Sequence, residues 1–451
     1  MRQIGGMKKT ILFTIGLATT FTANLFAGGT LNLQLVPERG YFVKNSPQEV
    51  VIKIDLSAIA GQRTVRRTPL NLAVVLDKSG SMTGAKLEKT KQAAMQLVDR
   101  LTPSDIFSLV IFSDEARVLV PAQRVEDKDA LKEKIESIEA DGSTALYAGV
   151  KMGADQLGEF FSSKRINRVI LLSDGLANVG PSSTRDLRRL GSDLAERGIS
   201  VTTIGVGDDY NEDLMAGLAE ASDANYYYVK DTEKLPEIFA KELGELLTVA
   251  ARDVRIEIVC PDGVRPLGFI GRAEKFENQR ATVNLSQFTT GQNRYLFLRC
   301  LVNGKQPDVA KVNVNYNDEL GDGSVRTATG TARIDFTDDQ SLSDKSLNGA
   351  VVAQKELMLT AVAKDEAMAQ ADAGNYAEAA KILTAQNVAL GRAYAAAPAT
   401  VQIQLREETN NLYYFTDRIG GGGGGFGGGG SYDSATRKTM QSQSYNTRNS
   451  K

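Results

Sequence analysis

Asp77, Ser79 and Ser81 stand at alternate positions in the stretch VVLDKSGSMTGAKL, directly after an apolar run over residues 72–76. One acid and two hydroxyls at that spacing can turn toward a single point in a loop. Taken alone, they serve equally well as turn and cap residues for a following helix. Two more oxygen-bearing residues stand at comparable places. Thr144, in ADGSTALYAGV, lies on a loop that opens a helix, and Asp174, in ILLSDGLANVG, follows the apolar run 170–172. Two carboxylates and three hydroxyls on three loops at one sheet edge describe a hard-cation site. Oxygen-only donors with room for water suit Mg²⁺, with Mn²⁺ or Ca²⁺ tolerated.

The rest of the composition narrows the chemistry further. Histidine and tryptophan are absent from the 451 residues. Without histidine there is no Ser-His-Asp or Cys-His catalysis and no histidine-built zinc site. A net charge of -2 offers no electrostatic reason to expect nucleic acid as a partner. The remaining enzymatic reading is a metal-assisted hydrolase, with Asp141 or Asp208 as the only evident candidates for a base near the ion.

The elements that must position these residues read clearly between 69 and 250. Short apolar runs alternate with amphipathic helical patterns, which predicts a doubly wound, mostly parallel sheet of the Rossmann-like α/β class covered on both faces. In such folds ligands gather at the carboxyl ends of the strands, where Asp77 and Asp174 fall. The flanks differ. Residues 28–68 and 251–340 alternate like half-exposed strands, and we expect them to close into one antiparallel β-sandwich with the α/β domain inserted. Two separate β-units are the alternative. Residues 341–418 are alanine-rich and helical, with a hairpin around AMAQADAGNYAEAAKIL.

Both termini carry compositional signals. Residues 1–27 have the form of a signal peptide: Met7-Lys8-Lys9, then an apolar run from Ile11 to Phe21, then Ala27 at a plausible cleavage position. Met7 is an alternative start. The expectation is export to the periplasm, the cell envelope or the medium, with no later span. Residues 419–451 begin with a glycine run and end in a basic stretch, expected to be a disordered tether whose basic end touches an anionic surface. The chain's two cysteines, Cys260 and Cys300, follow or end strand-like runs. In an oxidising compartment they are expected to pair, closing a loop of about 41 residues worth roughly 3–4 kcal/mol; two separate buried thiols are the alternative.

The motif Asp77-x-Ser79-x-Ser81, with a separate Thr144 and a separate Asp174, resembles the metal-ion-dependent adhesion site of the von Willebrand factor type A domain family. DIFSLVIFSDEARVLVPA, TTIGVGDDYNEDLMAGLAEAS and ANYYYVKDTEKLPEIF are similar to that family's strand–loop signatures. The flanking architecture resembles exported bacterial members compared with inter-alpha-trypsin inhibitor heavy chains and calcium-activated chloride channel regulators. The H-E-x-x-H protease helix of some of the latter is excluded, because there is no histidine. The resemblance implies a non-enzymatic module that grips an Asp or Glu of a partner protein through the ion, with Thr144 the residue on which partner binding turns. An envelope scaffold with a merely structural ion is the alternative.

Overall fold

A computed structural model of the chain describes residues 29–60, 67–420 and 432–450. The expected signal segment and the glycine run lie outside the described residues. The α/β domain is built on a six-stranded sheet whose order is Ala116–Arg124, Ile106–Phe112, Leu70–Asp77, Ile166–Ser173, Ile199–Val206 and Tyr226–Val229. All neighbours are parallel except the Ala116–Arg124 edge strand. Helices α1 (Ala85–Arg100), α2 (Lys128–Glu136) and α6 (Leu235–Leu247) cover one face; α3 (Leu146–Glu159), α4 (Thr184–Glu196) and α5 (Glu212–Ala221) cover the other.

Every residue of Leu70–Asp77 is buried, because the strand is central and both faces are covered. Its side chains divide by the period of two. Leu72, Val74 and Leu76 enter the core under α1 and α6, while Ala73 and Val75 enter the core under α3. Helix α3 lies close to the sheet: a Cβ added at Gly153 would stand 2.5 Å from the Val75 side chain. The glycine lets the helix approach, and with it the loop carrying Thr144.

The flanking strands form one sandwich, as the alternation predicted. One sheet has the order Leu31–Pro37, Gln48–Ala58, Asn293–Val302 and Val264–Phe269; the other has Arg280–Thr289, Val249–Val259, Asp308–Asp318 and Val325–Arg333. Gln48–Ala58 precedes the α/β domain and Asn293–Val302 follows it, yet they pair antiparallel over ten residues from Ser57↔Asn293 to Gln48↔Val302. The α/β domain is therefore an insertion. Arg294 and Asp223 tie the two units together with a 2.6 Å ion pair, and Asp223 also accepts the Ser286 amide.

Cys260 and Cys300, from opposite sheets, are both buried, and their sulfurs face each other at 3.8 Å as two thiols. One expectation is corrected. The tail expected to be a disordered tether is ordered over residues 432–450. Beyond α7 (Gln340–Lys345), the antiparallel pair α8 (Gly349–Asp372) and α9 (Tyr376–Ala396), and α10 (Ala399–Gly420), residues Ser434–Asn449 form a further helix, α11. Asp433 caps it by accepting the Thr436 amide. The sequence reading weighed the glycines and the polar composition, and missed that α11 meets a complementary surface. Arg437 pairs with Glu212, Asp213 and Asp372 at 2.6, 2.9 and 2.7 Å, and Lys438 with Glu212 at 2.6 Å. Arg448 pairs with Glu220 and Asp365. The anionic surface that the basic tail meets is the molecule's own, on α5 and α8.

Tyr445 anchors α11. It is 1% exposed, stands edge-on to Tyr226 with ring centroids 5.5 Å apart, and donates its hydroxyl to the Ala224 carbonyl at 2.6 Å. Replacing it leaves a cavity and removes this hydrogen bond. Tyr445→Ala is expected to cost about 3 kcal/mol of stability, read by urea denaturation; a cost below about 0.5 kcal/mol would mean that α11 does not stay docked in solution.

Candidate metal centre

The site is built at the carboxyl edge of the parallel sheet, where three loops are stitched together by backbone hydrogen bonds. After Asp77 the chain makes a 3-10 turn over Gly80–Met82, and the buried Met82 side chain pins it. The Gly80 amide donates to the Gly142 carbonyl at 3.0 Å and the Asp141 amide to the Lys78 carbonyl at 2.7 Å. Those bonds hold the loop of Asp77, Ser79 and Ser81 against the loop of Thr144. Thr144 is tied in turn to the loop after Asp174: its amide donates to the Asn178 side chain at 2.9 Å, and its carbonyl accepts from the Asn178 amide at 3.2 Å.

The five sequence-predicted residues meet. Asp77 is fully buried, and its Oδ1 accepts the Ser79 amide at 2.8 Å. Ser79 Oγ lies 3.1 Å from Ser81 Oγ, and Ser81 donates to Asp174 Oδ1 at 2.7 Å. Thr144 stands at the same edge: a Cβ added at Gly175 would lie 2.7 Å from Thr144 Oγ1 and 3.6 Å from Asp77 Oδ2. Any side chain at Gly175 would therefore crowd the threonine and approach the carboxylate.

Four further residues shape the site, of which only Lys78 stands out in the sequence, as a charge that would lower cation affinity slightly. Ser173, the last residue of its strand, donates to Asp77 Oδ2. Gly175 leaves the space just described. Lys78, inside the motif, turns away and pairs with Asp141. Lys86, in the first turn of α1, pairs with Asp174 Oδ2. Nothing in the spacing of Lys86 advertises this contact, since its long side chain meets Asp174 only across the sheet edge.

Two fully buried carboxylates side by side are electrostatically costly. Burial pushes the Asp77 carboxyl up to about 6; the hydrogen bonds from Ser173 and Ser79 pull it down, and the charge of Asp174 pushes it up again. A divalent cation would remove this penalty, and the donor set fits one. All five candidate donors are oxygens, two of them carboxylate. Among the described residues no group of three or more Cys, Asp or Glu gathers as a metal cage, so the hydroxyls are essential to the set.

The sign of the Asp77 shift can be tested without any metal. In ion-free protein the folded state holds this proton more tightly than the unfolded chain does. Its contribution to stability is present below about pH 4 and lost as pH rises through about 6, on the order of 3 kcal/mol at 1.36 kcal/mol per pH unit. Asp77→Asn should abolish that loss and be the more stable protein at pH 7 in EDTA. Denaturant titrations from pH 4 to 8 that show wild type and variant losing stability in parallel would refute it.

Comparison with known proteins agrees with this architecture. Residues 71–241 match the von Willebrand factor type A domain family. A protein of Synechocystis sp. is 29% identical over 266 residues, 56% of this chain and 63% of that protein. Inter-alpha-trypsin inhibitor heavy chain H4 of Homo sapiens is 29% identical over 202 residues, 43% of this chain and 20% of its own length. The chain thus spans less than two thirds of either relative. Among solved structures, a von Willebrand factor type A protein from Catenulispora acidiphila superposes with a TM-score of 0.68 at 19% identity, covering 86% of this chain and 91% of that one; the likeness is one of fold. With its doubly wound sheet inserted into a β-sandwich, the chain carries at residues 71–241 a von Willebrand factor type A domain.

Proposed function

We propose that the chain is an exported binding module that recognises an acidic residue of a partner protein through a divalent cation held by Asp77, Ser79, Ser81, Thr144 and Asp174. The observation that carries this reading is the pair of buried carboxylates gathered with three hydroxyls at one sheet edge. When bound there, Mg²⁺ or a similar ion supplies an electrophilic position that an outside Asp or Glu completes. Asp77 supplies charge at the centre of the loop. Ser79 and Ser81 supply neutral oxygens, so the protein's own anions do not saturate the ion. Thr144 and Asp174 face the site from the other two loops. Leu176, two residues after Asp174, is 58% exposed and offers a partner an apolar contact at the rim.

Catalysis is the weaker reading. Asp141, one candidate base, is held below the ordinary carboxylate range by its hydrogen bonds from Lys78 and Ser113. Asp208, the other, accepts the Tyr228 hydroxyl. Both are engaged, and the lowered Asp141 carboxyl makes the poorer general base. No helix among the described residues is long and apolar enough to cross a membrane. Export rests on the basic and apolar segment of residues 7–27.

The adhesion reading separates metal binding from partner binding. Asp77→Ala should lower Mn²⁺ affinity by about a hundredfold or more, measured by calorimetry, because a buried charge is lost. Thr144→Ala should keep measurable Mn²⁺ affinity yet lose partner capture in pull-downs from envelope extracts. Capture by wild type should vanish in EDTA and return with excess Mg²⁺. Recovery of the same partners by Thr144→Ala protein with chelator present would instead favour a scaffold with a structural ion.

Export also bears on the two thiols. We propose that they pair on oxidation, because they already face each other across the sandwich core at 3.8 Å. Non-reducing peptide mapping of envelope-extracted protein should find Cys260 linked to Cys300, and the bond should raise sandwich stability by roughly 3 kcal/mol. Two free thiols in that material would overturn the expectation.

A further inference from the structure

The strongest feature outside the assigned ligand set is a lysine already seated on one of them. Lys86 is the second residue of α1, and its ammonium contacts Asp174 Oδ2, the carboxylate oxygen opposite the one that receives Ser81. The Asp174 side chain is fully buried, while that of Lys86 keeps 27% of its surface exposed. Lys86 is therefore the only positive charge among the described residues that touches either site carboxylate; the nearby Lys78 is paired with Asp141 instead.

We propose that Lys86 is a built-in counter-cation, which balances the Asp174 carboxylate in the ion-free protein and must withdraw from it for a divalent cation to bind at full strength. The inference rests on the reading of the site as a divalent-cation centre, and it concerns what sets the affinity of that centre. Two cations sharing one carboxylate in a poorly screened edge repel strongly, since Coulomb energy falls only with distance and local dielectric. The geometry gives Lys86 somewhere to go. Its stem is long, its side chain is already partly exposed, and the loop after strand Ile199–Val206 passes it at Gly207. A Cβ added at Gly207 would lie 3.7 Å from both Lys86 Cε and Nζ. Asp208 and Asp209 follow on that loop, a second acidic surface for a displaced ammonium. Lys86 thus trades ion affinity for a folded ion-free state in which one of the two carboxylates is balanced.

The two halves of that trade predict opposite effects of one change. In the full chain, Lys86→Met should bind Mn²⁺ about tenfold more tightly by calorimetry, and should melt at a lower temperature than wild type in EDTA. Lys86→Arg, which keeps the charge, should stay within about threefold of wild-type affinity; Lys86→Gln serves as the neutral variant if the methionine protein does not fold. Mn²⁺ affinity unchanged or weaker in the neutral variants, with wild type binding the ion normally, would overturn the role of Lys86 and leave the metal reading standing. Absence of Mn²⁺ binding by wild type, with binding restored in Lys86→Met, would support it strongly. Absence in both would remove the metal reading and this inference together.

Discussion

Burial of the central strand Leu70–Asp77 is the constraint from which the site follows. A parallel strand flanked on both sides and covered on both faces has no solvent-exposed position, so the residue that ends it emerges already desolvated. Pairing of Leu76 with Leu172 then puts Asp77 beside Ser173, with Asp174 one residue further on. Two carboxylates are brought together in a place where neither is well hydrated. The serine donors, the lysine contact and the raised Asp77 carboxyl are all responses to that arrangement.

Such a site is held at the expense of local stability, which the surrounding structure makes good. The loops around the carboxylates have few choices. Gly80 is bonded to Gly142, Lys78 to Asp141 through the backbone, and Thr144 to Asn178 on both its amide and its carbonyl. Three loops that would fray separately are thereby one unit, and their side-chain oxygens are held together at one edge. Preorganisation of this kind suits binding better than chemistry: the acids that could accept protons outside the donor set are tied to Lys78 and Tyr228.

The insertion has consequences beyond the site. The strands before and after the α/β domain complete one another's sheet, so the domain's two ends are held together by the sandwich. Helix α11 adds a second tie. It carries its charges onto α5 and α8 and its tyrosine onto Tyr226, linking the α/β domain to the C-terminal helices. Its first turn also reaches the edge where the site lies, because Ser434 donates to the Asp208 carbonyl at 2.7 Å.

By itself the sequence determined the class of fold and pointed to oxygen-bearing residues at its edge. The period of two in the flanks, the alternation of apolar runs with amphipathic helices, and the spacing of Asp77, Ser79 and Ser81 are local patterns, legible without a neighbour in view; Thr144 and Asp174 entered from the ends of other elements. Tertiary structure decided what depends on residues far apart in the chain. The Lys86 contact with Asp174 spans 88 positions and the Arg437 contact with Glu212 spans 225, and no periodicity encodes either. The polar helix α11 buries its charges only because acids on α5 and α8 await it, so its composition read as disorder. The cysteines illustrate the same limit: residues 40 apart were expected to bond, and whether their sulfurs meet is settled by how two sheets stack.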